Sequence, residues 1–104
     1  ENLKWQADLA WVARGGQDAL QLLERHSGRV ISIHAKDNAP EGENQDQGGF
    51  ADVGYGVLDW NELLPAAFDA GVEWLIVEHD FPVDEERALT RSREFLADWL
   101  DGQQ

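Results

Sequence analysis

The chain has 104 residues, of which 8 are basic and 21 are acidic, so its formal net charge is −13 at pH 7. This negative charge argues against a nucleic-acid or anionic-membrane partner, because both require a basic surface. No apolar run approaches the roughly 20 residues of a membrane span. The sequence contains no cysteine, which excludes disulfides and leaves the cytoplasm as the default compartment.

A chain of 104 residues forms one small domain at most. It contains no methionine, and therefore no initiator Met, and it opens almost directly on a predicted strand. We therefore expect residues 1–104 to be a partial domain, cut from a longer protein.

The first predicted element is a strand over residues 3–10, in which apolar and polar side chains alternate. Its polar face ends with Asp8, and Trp11 follows as a residue of the core or of a pocket wall. A helix is predicted next. Asp18 is suited to cap it, and it extends to about Arg25.

The second predicted strand spans residues 29–37, a short stretch rich in β-branched side chains. One of its faces is apolar, and the other ends with His34 and Lys36. In parallel α/β sheets and barrels, ligands bind at the carboxyl ends of the strands. The pattern therefore places His34 and Lys36 at the end of the strand where ligands bind. A strand end that is only exposed to solvent would have the same sequence pattern.

A long loop is predicted over residues 38–58, which include several glycines. Loops of this length inside a compact domain are usually functional or mobile. We expect the glycine pair in Gly54-Tyr55-Gly56 to let the backbone turn tightly past a ligand.

Two helices and a third strand complete the predicted fold. Asp59 caps the first of these helices, with Glu62 completing a variant of the capping box. A strand over residues 73–78 follows and again has its polar residue, Glu78, at its carboxyl end, and Asp84 opens the last helix. The element order βαβαβα predicts an α/β fold with parallel strands and right-handed crossovers.

Asp8, His34 and Glu78 therefore end three successive strands of the predicted sheet. Two carboxylates and an imidazole are a ligand set suited to a divalent metal such as Mn²⁺, Mg²⁺, Co²⁺ or Zn²⁺. The alternative is that these groups are solvated strand ends, which are common in so acidic a chain. Three strand ends that converge on one point would favour the metal.

Four motifs carry a resemblance that covers nearly the whole chain. They are Asp8-Leu-Ala-Trp11, Ile31-Ser-Ile-His-Ala-Lys-Asp37, Val53-Gly-Tyr-Gly-Val-Leu-Asp-Trp60 and Leu75-Ile-Val-Glu78. Their order and spacing resemble the last three βα units of the sugar phosphate isomerase/epimerase family, the xylose isomerase-like TIM barrels. That group also includes inosose dehydratase-like and endonuclease IV-like members. The resemblance implies a (β/α)₈ barrel in which this chain supplies the sixth, seventh and eighth strands.

The resemblance also implies a metal site. Similar family members hold a divalent metal with a Glu, an Asp, a His and a second Glu, and the last three fall on Asp8, His34 and Glu78. The first Glu would lie on a strand before residue 1. In the family's epimerases the two glutamates act as acid and base beside a carbonyl that the metal polarises, which would make Glu78 catalytic.

The sequence departs from the family pattern at two places. Trp11 stands where sugar-binding members often have a His, and Tyr55 stands where many relatives have a Glu. Basic residues near the expected site are few, so a phosphorylated substrate is not implied, and a neutral sugar, keto-sugar or cyclitol fits equally well. We expect Trp11, Arg14 and Lys36 to contact the substrate.

Three functions fit these residues. A metal-dependent isomerase or epimerase of a sugar or keto-sugar best explains the three ligands. A dehydratase-type lyase on the same metal site would differ in the mass of its product, and a non-catalytic carbohydrate-binding subunit would purify without metal. Endonuclease activity is least expected, because it needs a basic groove and more than the 3 histidines present.

A three-unit piece cannot close a barrel of eight units. We therefore expect residues 1–104 alone to be inactive and to form a homo-oligomer, because the face with Val30, Trp74 and Ile76 has no opposite wall.

Overall fold

The computed structural model of the protein describes residues 3–80 and 82–102. Its elements are β1 (Trp5–Asp8), α1 (Leu9–Arg14), α2 (Ala19–Arg25), β2 (Val30–Ala35), β3 (Asp37–Asn38), a 3₁₀ turn (Gln45–Gln47), β4 (Phe50–Ala51), α3 (Trp60–Asp69), β5 (Trp74–Val77) and α4 (Glu85–Asp101). β1, β2 and β5 form a three-stranded parallel sheet with β2 in the middle. The predicted mixed α/β class with parallel strands is therefore confirmed.

The described residues fall into two compact units. The first consists of the described residues within 1–35 and 59–76, and the second of those within 36–58 and 77–104. None of the helices in the described part of the chain has the length and the hydropathy that crossing a membrane requires.

The pairing of β1 with β2 sets the geometry of the first unit. The two strands are parallel, and their register places Ala7 beside Ile33 and Asp8 beside His34. Ala7 and Ile33 are fully buried, as is Leu23 of α2. Asp8 and His34 are consequently neighbours at the carboxyl ends of their strands.

The first strand is shorter than predicted, because a helix that the sequence pattern did not reveal begins at Leu9. Asp8 is the N-cap of this helix, and its Oδ1 accepts a hydrogen bond from the backbone N–H of Trp11 at 3.2 Å. The apolar residues at positions 9 and 10 are buried by the helix and not by a strand. Alternation over so few residues did not distinguish the two conformations.

The second strand also ends earlier than predicted, at Ala35. Asp37 and Asn38 instead form β3, which pairs antiparallel with Phe50 and Ala51 of β4. The predicted single loop over residues 38–58 is thus partly regular, with the 3₁₀ turn between these two strands. The predicted order βαβαβα lacked α1, β3 and β4.

The three predicted N-cap residues are confirmed. Side-chain oxygens of Asp18, Asp59 and Asp84 accept backbone N–H groups in the first turns of α2, α3 and α4. Each such cap typically stabilises a helix by about 1 kcal/mol. Pro65 lies inside α3, and the helix continues through it to Asp69.

The face of β5 that carries Trp74 and Ile76 is open, with these side chains 66% and 39% exposed. Leu75 on the opposite face is half-buried. Val30, which was expected to lie on the same uncovered face, is buried instead. Of the three side chains predicted to form that face, the two that are exposed therefore lie on β5, an edge strand of the sheet.

Candidate metal centre

The backbone around Asp8 fixes its carboxylate at the carboxyl edge of the sheet. Asp8 ends β1 and caps α1, so regular structure constrains the chain on both sides of it. Its Oδ2 lies 3.7 Å from Nδ1 of His34, and both side chains are only partly exposed. One carboxylate oxygen thus serves the helix cap while the other lies close to the imidazole.

Glu78 follows β5 directly, at the same carboxyl edge of the parallel sheet. Asp8 and His34 are neighbours in the register of the other two strands of that sheet. The three residues predicted from the sequence therefore all lie at the carboxyl ends of strands of one parallel sheet. Their oxygen and nitrogen donors fit a divalent metal of the borderline or hard type, and the assignment as ligands stays a prediction.

Two of these three residues also have an ordinary structural role. Asp8 caps α1. Glu78 forms an ion pair with Lys36, with 2.9 Å between Nζ of Lys36 and Oε1 of Glu78. Exposed acidic groups are common without any metal.

Lys36 lies between β2 and β3, and its side chain is only 1% exposed. Besides the ion pair with Glu78, its Nζ lies 3.0 Å from Oδ1 of Asp80. The ring centroid of Phe50 is 5.3 Å from the same nitrogen. The predicted substrate contact is therefore engaged by the protein's own carboxylates.

The other two predicted substrate contacts lie on α1. The ring of Trp11 is half-exposed, and the guanidinium carbon of Arg14 lies 5.3 Å from its centroid. This stack begins three residues after Asp8 in the sequence. It offers an aromatic face and a cation next to the candidate ligand, and its contact with a substrate stays a prediction.

Asp37 organises the loop that follows β4, a role that sequence reasoning missed. Its carboxylate is fully buried and accepts four backbone N–H groups. The donors and distances are Asn38 at 2.8 Å, Leu58 at 3.0 Å, Gly54 at 3.1 Å and Gly56 at 3.2 Å. An acidic residue at a strand end followed by closely spaced glycines was the available signal.

The glycine pair of this loop approaches groups of the same chain. A Cβ on Gly56 would overlap the Asp37 carboxylate and the Asn38 carbonyl oxygen, and one on Gly54 would overlap the ring of Phe95. Gly54 also has a φ of 90°, which favours glycine. The tight turn expected to pass a ligand therefore passes Asp37 and α4.

A second buried carboxylate ties the loop to α4. Asp52 is buried, with its Oδ2 3.2 Å from Nη1 of Arg91. The guanidinium of Arg91 in turn lies 3.5 Å from the ring centroid of Tyr55. The hydroxyl of Ser92 accepts the backbone N–H of Val53 at 2.9 Å. These contacts hold residues 52–55 against the helix.

His79 is the neighbour of Glu78 in sequence and packs edge-on against Phe50, with 6.2 Å between ring centroids. Burial lowers the pKa of His79 below its ordinary value of 6.5 and outweighs the nearby carboxylates of Asp52 and Asp80, which raise it. The cation of Lys36 also lowers this pKa. The lowered pKa favours the neutral form of the His79 imidazole.

No protein-family model matches the chain, and no curated protein matches its sequence. The resemblance to the xylose isomerase-like barrels thus depends on the four sequence motifs alone.

Proposed function

We propose that residues 1–104 are the C-terminal part of a xylose isomerase-like TIM barrel. The full-length protein would be a divalent-metal-dependent isomerase or epimerase of a sugar or keto-sugar. The observation that carries the proposal is that Asp8, His34 and Glu78 lie at or directly beyond the carboxyl ends of three strands of one parallel sheet, with 3.7 Å between Oδ2 of Asp8 and Nδ1 of His34. All three side chains belong to the carboxyl ends of parallel strands, where barrels and open α/β sheets bind ligands.

Two carboxylates and one imidazole would hold the ion, with Mn²⁺, Mg²⁺, Co²⁺ and Zn²⁺ as the candidates. A divalent ion bound there supplies Lewis-acid polarisation of a carbonyl group. Glu78 would take a proton from the carbon beside that carbonyl and return it, because a carboxylate within hydrogen-bond reach is a competent general base. Asp8 and His34 would keep the ion at a fixed distance from Glu78.

The charges support a neutral substrate. Lys36 is a cation beside Glu78, and it already pairs with Glu78 and Asp80 at 2.9 and 3.0 Å. Recognition of a phosphate group usually depends on arginine or lysine side chains directed at it. The half-exposed ring of Trp11 instead offers an apolar face of the kind on which a sugar ring can pack.

The proposal is tested by metal binding to the full-length protein, because the resemblance implies a further Glu ligand before residue 1. We expect purified wild-type protein to bind one Mn²⁺ per chain, and His34→Ala to lose stoichiometric metal by elemental analysis. His26→Ala is the matched control, because His26 caps the carboxyl end of α2 and contacts Trp5. Unchanged metal content in folded His34→Ala protein would contradict the proposal.

Activity is tested by exchange of solvent deuterium into a panel of ketoses and aldoses. Full-length wild-type protein loaded with Mn²⁺ should catalyse exchange at the carbon beside the carbonyl of at least one sugar. Glu78→Gln should abolish this exchange, because the amide cannot accept the proton. Exchange at the wild-type rate in Glu78→Gln would assign proton transfer to another group.

A further inference from the structure

The ammonium group of Lys36 lies between two carboxylates of the second unit. Its Nζ is 2.9 Å from Glu78 Oε1 and 3.0 Å from Asp80 Oδ1, and the side chain is 1% exposed. A buried ammonium group is strongly destabilising unless it is paired. Both ion pairs are therefore part of what allows Lys36 to be buried.

The fold also holds the backbone of Lys36 in place. β2 ends at Ala35 and β3 begins at Asp37, whose carboxylate accepts four backbone N–H groups. Lys36 is thus the single residue between two strands, one of them anchored by a buried carboxylate. The backbone from which the Lys36 side chain extends is consequently held by the protein itself.

Glu78 is less constrained, because it lies just beyond the end of β5 and its side chain is 37% exposed. Holding such a long side chain in one rotamer costs conformational entropy. A carboxylate has two oxygens and several lone pairs, so Glu78 can accept Lys36 and bind a metal ion at once. A fixed ammonium group on one oxygen would therefore orient the whole carboxylate.

We propose that Lys36 and Asp80 are positioning residues for Glu78. Asp80 holds the ammonium group of Lys36, and Lys36 orients the carboxylate of Glu78 toward the metal ion and the reacting carbon. The inference rests on the metal site proposed above. It assigns Asp80 a role, and it gives Lys36 a role different from the substrate contact that the sequence suggested.

The direction in which Lys36→Met changes the affinity for Mn²⁺ distinguishes a positioning role from a purely electrostatic one. Removing the positive charge of Lys36 would, by charge alone, tighten the binding of a divalent cation. Loss of an outer partner that orients a ligand typically weakens metal binding about 10–100-fold. We therefore expect Lys36→Met to weaken Mn²⁺ binding at least about tenfold, measured from the electron paramagnetic resonance signal of free Mn²⁺. Lys4→Met is the matched control, because Lys4 is exposed near the opposite end of β1.

A double-mutant cycle tests whether Asp80 acts through Lys36. Asp80→Asn alone should weaken Mn²⁺ binding about tenfold, but should cause no further loss in the Lys36→Met background. A long-range effect of the Asp80 charge would instead appear in both backgrounds. Asp46→Asn, in the exposed 3₁₀ turn, is the matched control for loss of one negative charge.

The visible absorption spectrum of bound Co²⁺ provides a readout of ligand geometry that general destabilisation would not change. We expect both variants to alter this spectrum at saturating Co²⁺, and Asp80→Glu to restore it partly. If circular dichroism shows that Lys36→Met does not fold, the Mn²⁺ affinity and the Co²⁺ spectrum of Asp80→Asn test the positioning role instead.

The outcomes are distinct. Wild-type affinity and a wild-type Co²⁺ spectrum in folded Lys36→Met or Asp80→Asn protein would overturn the positioning role while leaving the metal site intact. Tighter Mn²⁺ binding in Lys36→Met would show that Lys36 acts only as a charge, and would also overturn it. Wild-type protein that binds neither ion would instead remove the metal site itself.

Discussion

The two units of the molecule are organised by different interactions. The fully buried large side chains of the first unit are apolar, as with Leu23, Ile33 and Leu64. The second unit buries Phe50 and Val53 as well, but it also contains five of the six buried polar or charged residues described, with Ser32 as the exception. The five are Lys36, Asp37, Asn38, Asp52 and Ser92.

This difference changes how each unit should respond to substitution. Hydrophobic burial is not directional, and neighbouring side chains relax partly around a truncated one. A buried carboxylate that accepts several hydrogen bonds has no such tolerance, because every donor left without a partner carries its own desolvation penalty. Truncating the central polar residue of the second unit should therefore destabilise the protein more than truncating a core leucine of the first.

The largest expected effect is that of Asp37→Ala. It removes the acceptor of four backbone N–H groups, and hydrogen bonds to a charged group contribute about 1.5–3 kcal/mol each. We expect the free energy of unfolding to fall by at least about 4 kcal/mol in urea denaturation. Asp46→Ala, an exposed control, should change it by less than about 0.5 kcal/mol. Equal stability of the two variants would show that water molecules can replace Asp37 as the acceptor of the four backbone N–H groups.

The second-largest loss of stability is expected from truncation of a core side chain in the first unit. Leu64 of α3 is fully buried, and Leu→Ala substitutions at such positions cost about 2–5 kcal/mol. We expect about 3 kcal/mol for Leu64→Ala in the same urea experiment. Leu89→Ala on α4 is the matched control, since Leu89 is mostly exposed. A loss larger than that of Asp37→Ala would reverse the comparison between the units.

The smallest effect on stability, and the largest on association, is expected at the open face of β5. Substitution of exposed Trp74 by Ser should change the free energy of unfolding by less than about 0.5 kcal/mol. Exposed apolar faces and unpaired edge strands favour self-association. We therefore expect residues 1–104 to sediment as a homo-oligomer, and Trp74→Ser to shift it toward the monomer while Leu89→Ser does not. A wild-type monomer at micromolar concentration would contradict this prediction.

Local signals in the sequence were sufficient for part of the fold. Asp18, Asp59 and Asp84 cap their helices as predicted, because capping depends on residues only two or three positions apart. The boundaries of the first strand were wrong, since Leu9 and Ala10 satisfy the pattern of a strand and of a short helix equally well. Their burial in α1 depends on packing.

The candidate site, like the fold, was predictable from the sequence only in part. Alternation along each strand placed Asp8, His34 and Glu78 at carboxyl ends, and three parallel strands in one sheet are enough to bring such ends together. The supporting residues had no comparable signal. Asp80 reaches Lys36 across 44 positions of sequence, and no local periodicity relates residues so far apart.

The sequence by itself therefore determined the α/β class, the helix caps and the strand-end position of the three candidate ligands, because each follows from residues that are close in the chain. Only the tertiary structure decided that Lys36 is buried against Glu78 and Asp80, and that Asp37 holds a loop up to 21 positions away. The physical reason is that buried charges are stable only beside partners, and the fold alone determines which distant residues become those partners.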